Sequence, residues 1–131
     1  MKFVLDTSAY IGIINGDHQI KIYLAGADSI MVPAIVIGEL FYGYHKGNRF
    51  YDNNIVLQRF LDTERVSVAP VDTKIAERYG KLKNGQFSTG QVLADNDLWI
   101  AATCLHLELP LLTFDNDFFL IKDNDFQLLP V

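Results

Sequence analysis

Residues 3–8 read Phe3-Val4-Leu5-Asp6-Thr7-Ser8, a short apolar run that ends in an acid and two hydroxyl residues. The run predicts a buried strand over residues 2–5, and Thr7 or Ser8 is placed to cap a helix that extends to about Asn15. When strands lie parallel in an open sheet, their carboxyl ends share one edge, and ligands bind along that edge. Asp6 therefore marks a candidate site at the end of the first strand.

The rest of the chain repeats this alternation of short apolar runs and longer amphipathic segments. Strands are predicted at residues 30–32, 66–69, 109–113 and 126–129, and helices at 17–24, from Pro33 onward, and at 48–64, 72–83 and 96–107. Residues 84–90 are predicted to form a polar loop, and Asp95 to cap the helix that follows. The alternation predicts one α/β domain over residues 1–131, with three α/β/α layers around a mostly parallel sheet of about five strands.

Three further acids are expected to lie near Asp6 at the same sheet edge. Glu39 lies among apolar residues of the helix after Pro33, where a buried Glu without a partner is costly. Asp97 opens a helix, whose N-terminal dipole favours an anion, and Asp115 follows an apolar strand. Carboxylates that converge repel one another unless a cation neutralises them, and oxygen ligands suit Mg²⁺ or Mn²⁺. The four acids therefore predict a divalent metal site that could activate water for phosphodiester cleavage.

Each acid also has a purely structural interpretation. Asp6 alone could form an Asx turn after its strand. Asp95 competes with Asp97, although its position favours a capping role, and Asp117 competes with Asp115 as a turn residue. The four acids together are therefore more specific than any one of them.

Composition limits the classes of protein to which the chain can belong. Half of its 131 residues are apolar, so disorder is not expected, and its single cysteine excludes an internal disulfide framework and a cysteine-based zinc site. Cys104 is expected to pack as a small hydrophobe. The N-terminus does not resemble a signal peptide, and no apolar stretch approaches the roughly 18 residues that a membrane span needs. A soluble, cytoplasmic protein is expected.

Charge is distributed unevenly along the chain. The net charge is −5, but residues 46–83 carry eight basic and five acidic residues, so this segment has a charge of +3 and the remainder −8. Lys46 and Arg49 are candidate phosphate contacts beside an acidic metal pocket. Ordinary solvated helix faces explain the same pattern equally well.

Four segments together resemble the successive signatures of PIN-domain ribonucleases, and the length and order of the chain are similar to those of VapC-type toxins. The Asn-Asp pair followed by an Ile-Ala-Ala helix is the most specific of them, and the resemblance covers essentially the whole chain. The segments are Leu5-Asp6-Thr7-Ser8, Glu39-Leu40-Phe41-Tyr42-Gly43, Asn96-Asp97-Leu98-Trp99-Ile100-Ala101-Ala102 and Thr113-Phe114-Asp115-Asn116-Asp117-Phe118.

The resemblance implies a metal-dependent endoribonuclease with a catalytic quartet of acids, which maps onto Asp6, Glu39, Asp97 and Asp115. It implies a Mg²⁺ or Mn²⁺ ion held by Asp6, Asp97, Asp115 and Asp117. Thr113 and either Thr7 or Ser8 would orient the acids or a metal-bound water. It also implies a cognate antitoxin that binds near the active site, a homodimer, and structured RNA, often transfer RNA, as substrate.

Rival functions are weighed by the residues that they require. A haloacid-dehalogenase-like phosphatase needs a second Asp two positions after Asp6, where Ser8 stands, and the adjacent acidic pair and Lys of a receiver domain do not stand out. The aromatic residues within 41–51 could stack RNA bases, or form an antitoxin or dimer surface. The remaining alternative is a PIN-like module that binds RNA or protein without cleaving it.

Overall fold

The computed structural model describes residues 1–90 and 92–131, whose strands and helices alternate as predicted. None of the helices in these two ranges is long and apolar enough to cross a membrane. In chain order the elements are β1 (Lys2–Leu5), α1 (Thr7–Ile14), α2 (His18–Gly26), β2 (Ser29–Pro33), α3 (Ala34–Lys46), α4 (Phe50–Leu61), β3 (Val66–Ala69), α5 (Thr73–Ser88), α6 (Asp95–Leu107), β4 (Leu111–Leu112) and a 3₁₀ helix (Asn116–Leu120).

The four strands form one parallel sheet in the order β3-β2-β1-β4. Phe3, Val4 and Leu5 of β1 are each 0% exposed, although successive side chains of a strand point to opposite faces. Both faces of the sheet are therefore covered by helices, which confirms the predicted three-layer α/β/α fold. Because β1 lies between β2 and β4, Asp6 and Thr113 follow neighbouring strands at the carboxyl edge.

The expected fifth strand at residues 126–129 does not form. Leu128 makes a single parallel bridge to Leu111, supported by hydrogen bonds from Leu111 N to Gln127 O and from Leu129 N to Leu111 O. Pro130 follows at once, and because it has no N–H it cannot extend the ladder. The sheet therefore has four strands, with one bridge at its β4 edge.

Several predicted helix boundaries were wrong. The fourth helix is shorter than residues 48–64, since it spans Phe50–Leu61. Helix α5 continues to Ser88, through most of the loop predicted at 84–90. Its last turn is held by Gln86, which is 2% exposed, donates to Leu120 O at 3.0 Å and accepts from Lys122 N. This buried contact offsets the weak helix propensity of the surrounding residues.

The two predicted helix caps were also wrong. Asp6, rather than Thr7 or Ser8, caps α1, because its side chain accepts the Ala9 N–H. Asp95 lies inside the first turn of α6, whose N-cap is Ala94 and has no side-chain hydrogen bond. The first error is local, since Asp6 stands one residue before α1 and reaches the Ala9 N–H, whereas the Asp95 carboxylate is bound by Lys83 and Tyr79 on α5.

Candidate active site

Asp6 occupies a buried corner where β1 passes into α1. Its carboxylate is 4% exposed, and Oδ1 accepts from Ala9 N at 2.9 Å and from Ser8 Oγ at 2.8 Å. Oδ2 accepts from Thr113 Oγ1. Burial raises the pKa of Asp6, although these hydrogen bonds favour the ionised form and act against that rise. A carboxylate can accept about four hydrogen bonds, so Oδ2 retains room for one more ligand.

Hydroxyl groups join this corner to the segment that follows β4. Thr113 Oγ1 donates to Asp6 and accepts from Asp115 N at 2.9 Å, while Ser8 Oγ donates to Asp6 and accepts from Phe114 N at 2.9 Å. Both hydroxyl protons are thus used on Asp6, and both oxygens receive a backbone N–H. The two ends of the neighbouring strands are therefore fixed to each other through one carboxylate.

Three other acids lie together at the same edge. Carboxylate oxygens of Asp97, Asp115 and Asp117 all lie within 4.8 Å of one another. Asp97 lies in the first turn of α6, and Asp115 caps the 3₁₀ helix by accepting Asp117 N at 2.9 Å. We call these three residues the acidic trio. No ion pair formed within residues 1–90 and 92–131 includes one of them, since those pairs involve Asp28, Asp52 and Asp95.

The electrostatics of the trio favour a bound cation. Partial burial, together with repulsion from Asp115, then Glu39, Asp117 and Asp6, raises the pKa of Asp97 to about 6. Hard divalent cations prefer several carboxylate oxygens, which is the donor set present here. The residues therefore fit a Mg²⁺ or Mn²⁺ ion.

Glu39 lies beside the trio but outside it. Its half-buried carboxylate accepts from Thr7 Oγ1 at 2.9 Å, which ties α3 to the start of α1. Its charge reaches Asp97, because it is the second carboxylate that raises the Asp97 pKa. The structure thus brings all four acids of the predicted quartet to one region, and Asp117, predicted as a further metal ligand, lies with Asp97 and Asp115.

The remaining candidate residues take up other contacts. Asp95 accepts from Lys83 Nζ at 2.8 Å and Tyr79 Oη at 2.9 Å, and so its carboxylate is committed to α5. The exposed Lys46 lies over the Tyr42 ring at 5.2 Å, and Arg49 lies 3.6 Å from Asp52. A phosphate-binding role for Lys46 and Arg49 stays a prediction.

Sequence reasoning missed Gln86, which positions the segment that carries Asp117. Its amide bonds to Leu120 O and Lys122 N fix the end of the 3₁₀ helix. The detectable signal is a polar residue at an apolar helical position, because Ile75, Leu82 and Gln86 follow the spacing of one buried face.

Comparison with known proteins places these features in a family. The sequence profile of the PIN domain matches residues 3–124. Ribonuclease VapC1 from Haemophilus influenzae strain R2866 is 31% identical over 132 residues, which cover 97% of each chain. Among solved structures, VapBC2 from Rickettsia felis bound to a promoter DNA fragment is 26% identical with a TM-score of 0.85, over 98% of this chain and 97% of that one. VapBC-1 from nontypeable Haemophilus influenzae is 26% identical with a TM-score of 0.83, at the same coverage.

Proposed function

The chain belongs to the PIN domain family and, within it, to the VapC ribonucleases, and from this membership we propose that it is the endoribonuclease toxin of a toxin–antitoxin pair. The observation that carries the proposal is the convergence of Asp97, Asp115 and Asp117 beside Asp6 and Glu39 at the carboxyl edge of the sheet. That edge is where ligands bind in open α/β sheets. The catalytic acids are Asp6, Glu39, Asp97 and Asp115, and the chain acts as a single PIN domain.

The cofactor in this proposal is Mg²⁺ or Mn²⁺, which Asp97, Asp115 and Asp117 would hold, with Asp6 Oδ2 as a further candidate donor. Such an ion supplies a water of lowered pKa and stabilises the charge that develops on the phosphate. The chain itself holds the acids in place. Thr113 and Ser8 fix the rotamer of Asp6, so this carboxylate is oriented before any ligand arrives.

Glu39 and Thr7 form the second part of the proposed site. Since Thr7 Oγ1 donates to Glu39 Oε1 at 2.9 Å, the carboxylate keeps its other oxygen available. From α3 it can accept a proton or a hydrogen bond from water near the trio. Because it lies outside the acidic trio, whose oxygens are within 4.8 Å of one another, a role in orienting water is favoured over a role as a direct ligand.

The substrate in this proposal is structured RNA such as transfer RNA, cleaved in the cytoplasm so that translation stops. The half-exposed trio suits a phosphodiester that reaches the site from solvent. Lys46 and Arg49 would contact flanking phosphates, because both are exposed at the end of α3 and the start of α4.

The antitoxin in this proposal occupies an apolar groove of about 400 Å³ between α1, α3 and α4. Ile11, Ile14 and Val56 line it and are 47%, 52% and 43% exposed, which is typical of a surface that a partner covers. Thr7 and Glu39 line the same groove, so an occupant would block the acids. Hydrogen exchange on a complex with the cognate antitoxin tests this, because protection should extend over α1 and α4.

A homodimer is proposed as well, through the outer face of α3. Ile35, Gly38 and Tyr42 share this face and line a depression with Asn96, and Tyr42 is 67% exposed. Light scattering on the purified, antitoxin-free protein gives the molecular mass that decides between monomer and dimer.

Incubation of the purified, antitoxin-free protein with total RNA and with isolated transfer RNAs tests the activity. We expect cleavage with Mg²⁺ or Mn²⁺, none with a chelator, and a roughly 10³-fold lower rate for Asp97→Asn, since charge stabilisation of this kind contributes several kcal/mol. Asp95→Asn is the matched control. It also removes one carboxylate charge from α6, two residues before Asp97, but the Asp95 carboxylate is bound to Lys83. A folded protein that cuts no RNA with any divalent ion would favour the non-catalytic binding module.

A further inference from the structure

A depression of about 430 Å³ continues from the acidic trio toward the end of the described chain. Thr113 and Asp115 line its inner end and Asn116 and Phe119 one side. Leu128, Leu129, Pro130 and Val131 line the rest. We call it the Phe119 pocket. Because Thr113 also bonds to Asp6, the pocket and the acidic site share residues.

Phe119 is exposed on a backbone that is firmly held. The adjacent Phe118 is 1% exposed in the core, while Phe119 itself is 73% exposed. On the other side, Gln86 bonds to Leu120 O and to Lys122 N. An aromatic ring between two anchored positions is presented to solvent by the fold, and does not result from a loose segment.

The opposite wall of the pocket is anchored too. Leu129 N donates to Leu111 O at 2.9 Å, and the Tyr23 hydroxyl donates to Pro130 O. Apolar residues therefore line the cavity together with Phe119, and the polar side chains of Asp115 and Asn116 line it as well. A cavity with apolar walls and a few polar groups at one end is typical of a site for a small planar ligand.

We propose that the Phe119 pocket binds one unpaired nucleobase of the RNA, adjacent to the phosphodiester that lies at the acidic trio. This inference rests on the proposed ribonuclease function. Only a sugar separates a base from its phosphate, so the base next to the cut lies within reach of a cavity that borders the acids. Single-stranded RNA is recognised through splayed bases that stack on aromatic side chains.

Charge and hydrogen bonding favour a base over other parts of the RNA. Asp115 at the inner end repels a second phosphate, whereas a neutral base carries no such penalty. The exposed Asn116 amide offers both a donor and an acceptor to a base edge. Phe119 would therefore supply affinity for any base, and Asn116 would supply the choice among bases.

The test uses an RNA hairpin with a randomised loop, whose cut ends are sequenced and whose cleavage kinetics are measured. We expect Phe119→Ala to raise KM roughly tenfold, since stacking on one aromatic residue contributes about 1–3 kcal/mol per base, and to change kcat much less. Asn116→Ala should flatten the base preference at one position beside the cut. Phe87→Ala, at a position 84% exposed on α5, and Asn124→Ala are the matched controls and should behave as wild type.

The possible outcomes separate the pocket from the ribonuclease function. If the wild type cuts and Phe119→Ala matches Phe87→Ala in KM, the pocket proposal is overturned. It is also overturned if Phe119→Ala weakens only antitoxin binding, since the occupant is then a protein. If the wild type does not cut, the ribonuclease function fails. Fluorescence anisotropy with the same hairpin then measures RNA binding and tests the pocket by itself. Weaker binding by Phe119→Ala than by Phe87→Ala supports the pocket, and equal binding overturns it.

Discussion

The tetrapeptide Asp-Asn-Asp-Phe occurs twice in this chain, at residues 115–118 and 123–126, and the two copies form the same turn. In the first, Asp117 N donates to Asp115 Oδ1 at 2.9 Å, and in the second Asp125 N donates to Asp123 Oδ1 at 2.9 Å. The closing phenylalanines lie near each other, with ring centroids 6.2 Å apart. Local sequence therefore determines the turn in both places.

The surroundings of the two turns differ. The first follows β4, is bonded to Asp6 through Thr113, and brings its acids to Asp97. The second lies farther along the chain, where Asp125 lines a cavity with Arg78 and Glu108, and among the described residues no third acid joins this turn in a cluster that could hold a metal. An Asp-x-Asp turn therefore becomes a candidate metal site only where the sheet edge adds a third acid that has no ion-pair partner among the described residues.

Removing one charge from each turn should give the largest difference in cleavage rate between the two turns. We expect Asp115→Asn to lower the cleavage rate roughly 10³-fold, because it removes a charge that stabilises the transition state. Asp123→Asn should leave the rate within about twofold of wild type, since surface changes away from a site have small effects. Asn can accept the same i+2 N–H in both turns, and so their shape is retained. RNA cleavage measured with both variants checks this, and equal losses would contradict it.

Asp6, which is bonded to the first turn through Thr113, is expected to give the next largest effect, a loss in the free energy of unfolding. Asp6→Ala removes the cap of α1 and leaves the buried Thr113 hydroxyl and the half-buried Ser8 hydroxyl without their acceptor. We expect a loss of about 2 kcal/mol in the free energy of unfolding, since a lost cap costs about 1 kcal/mol and an unpaired buried group about 1–3 kcal/mol, partly offset by the buried charge removed. Urea unfolding measures it.

Asp6→Asn separates stability from activity at the same position. Asn caps helices well and can still accept from Ala9 N and Ser8 Oγ, so we expect most of the stability to remain. The loss of charge should nevertheless abolish cleavage. An Asn variant as unstable as the Ala variant would show that the charge, and not the hydrogen bonds, holds the corner together.

Much of the fold was predictable because it depends on short-range patterns. The strand at Phe3-Val4-Leu5 and the alternation that follows predict the parallel sheet, and Asp6, Asp97 and Asp115 were placed at its carboxyl edge. The pairing of Asp117 with this group, in contrast, depends on the Asp115 turn lying against α6, and no local pattern encodes that distance.

Two of the errors share a physical cause, which is competition between local and tertiary partners. Asp95 has the sequence position of a helix cap, but Lys83 and Tyr79 on α5 bind its carboxylate. Residues 84–88 have the composition of a loop, but the buried amide of Gln86 keeps them helical. In both cases the deciding partner is distant in sequence and could not be identified from propensity alone.

A smaller effect is expected from the hydroxyl that links the first turn to Asp6. Thr113→Val leaves Asp115 N and one Asp6 oxygen without a partner, and we expect a loss of roughly 1–2 kcal/mol in the free energy of unfolding. Thr103→Val is the matched control, since Thr103 is 1% exposed but only donates to Trp99 O within its own helix. Denaturant unfolding of both variants should show a clear loss for the first alone.

The smallest expected effect is a gain in the free energy of unfolding when the charge of Asp97 is removed from the trio. Because partial burial and like charges raise the pKa of Asp97 from 3.8 to about 6, the native state binds its proton more tightly than the unfolded state does. Below about pH 4 both states are protonated, and the residue has no effect on relative stability. As the pH rises through 6 the native state must hold a repelled charge, so wild-type stability falls relative to Asp97→Asn.

In a chelator, Asp97→Asn should therefore match the wild type near pH 4 and exceed it above pH 6 by about 1 kcal/mol, once solvent screening reduces the full electrostatic value. Comparing the two proteins at each pH also removes most of the contribution of Asp6, whose raised pKa is present in both. Mg²⁺ or Mn²⁺ should reverse the order, because a cation stabilises the intact trio more than the variant. The second turn provides the control, since Asp125→Asn removes an exposed carboxylate that lies outside the acidic trio and should give no gain at any pH. A gain there equal to that of Asp97→Asn would mean that the effect reflects net charge alone, and the distinction between the two turns would be lost.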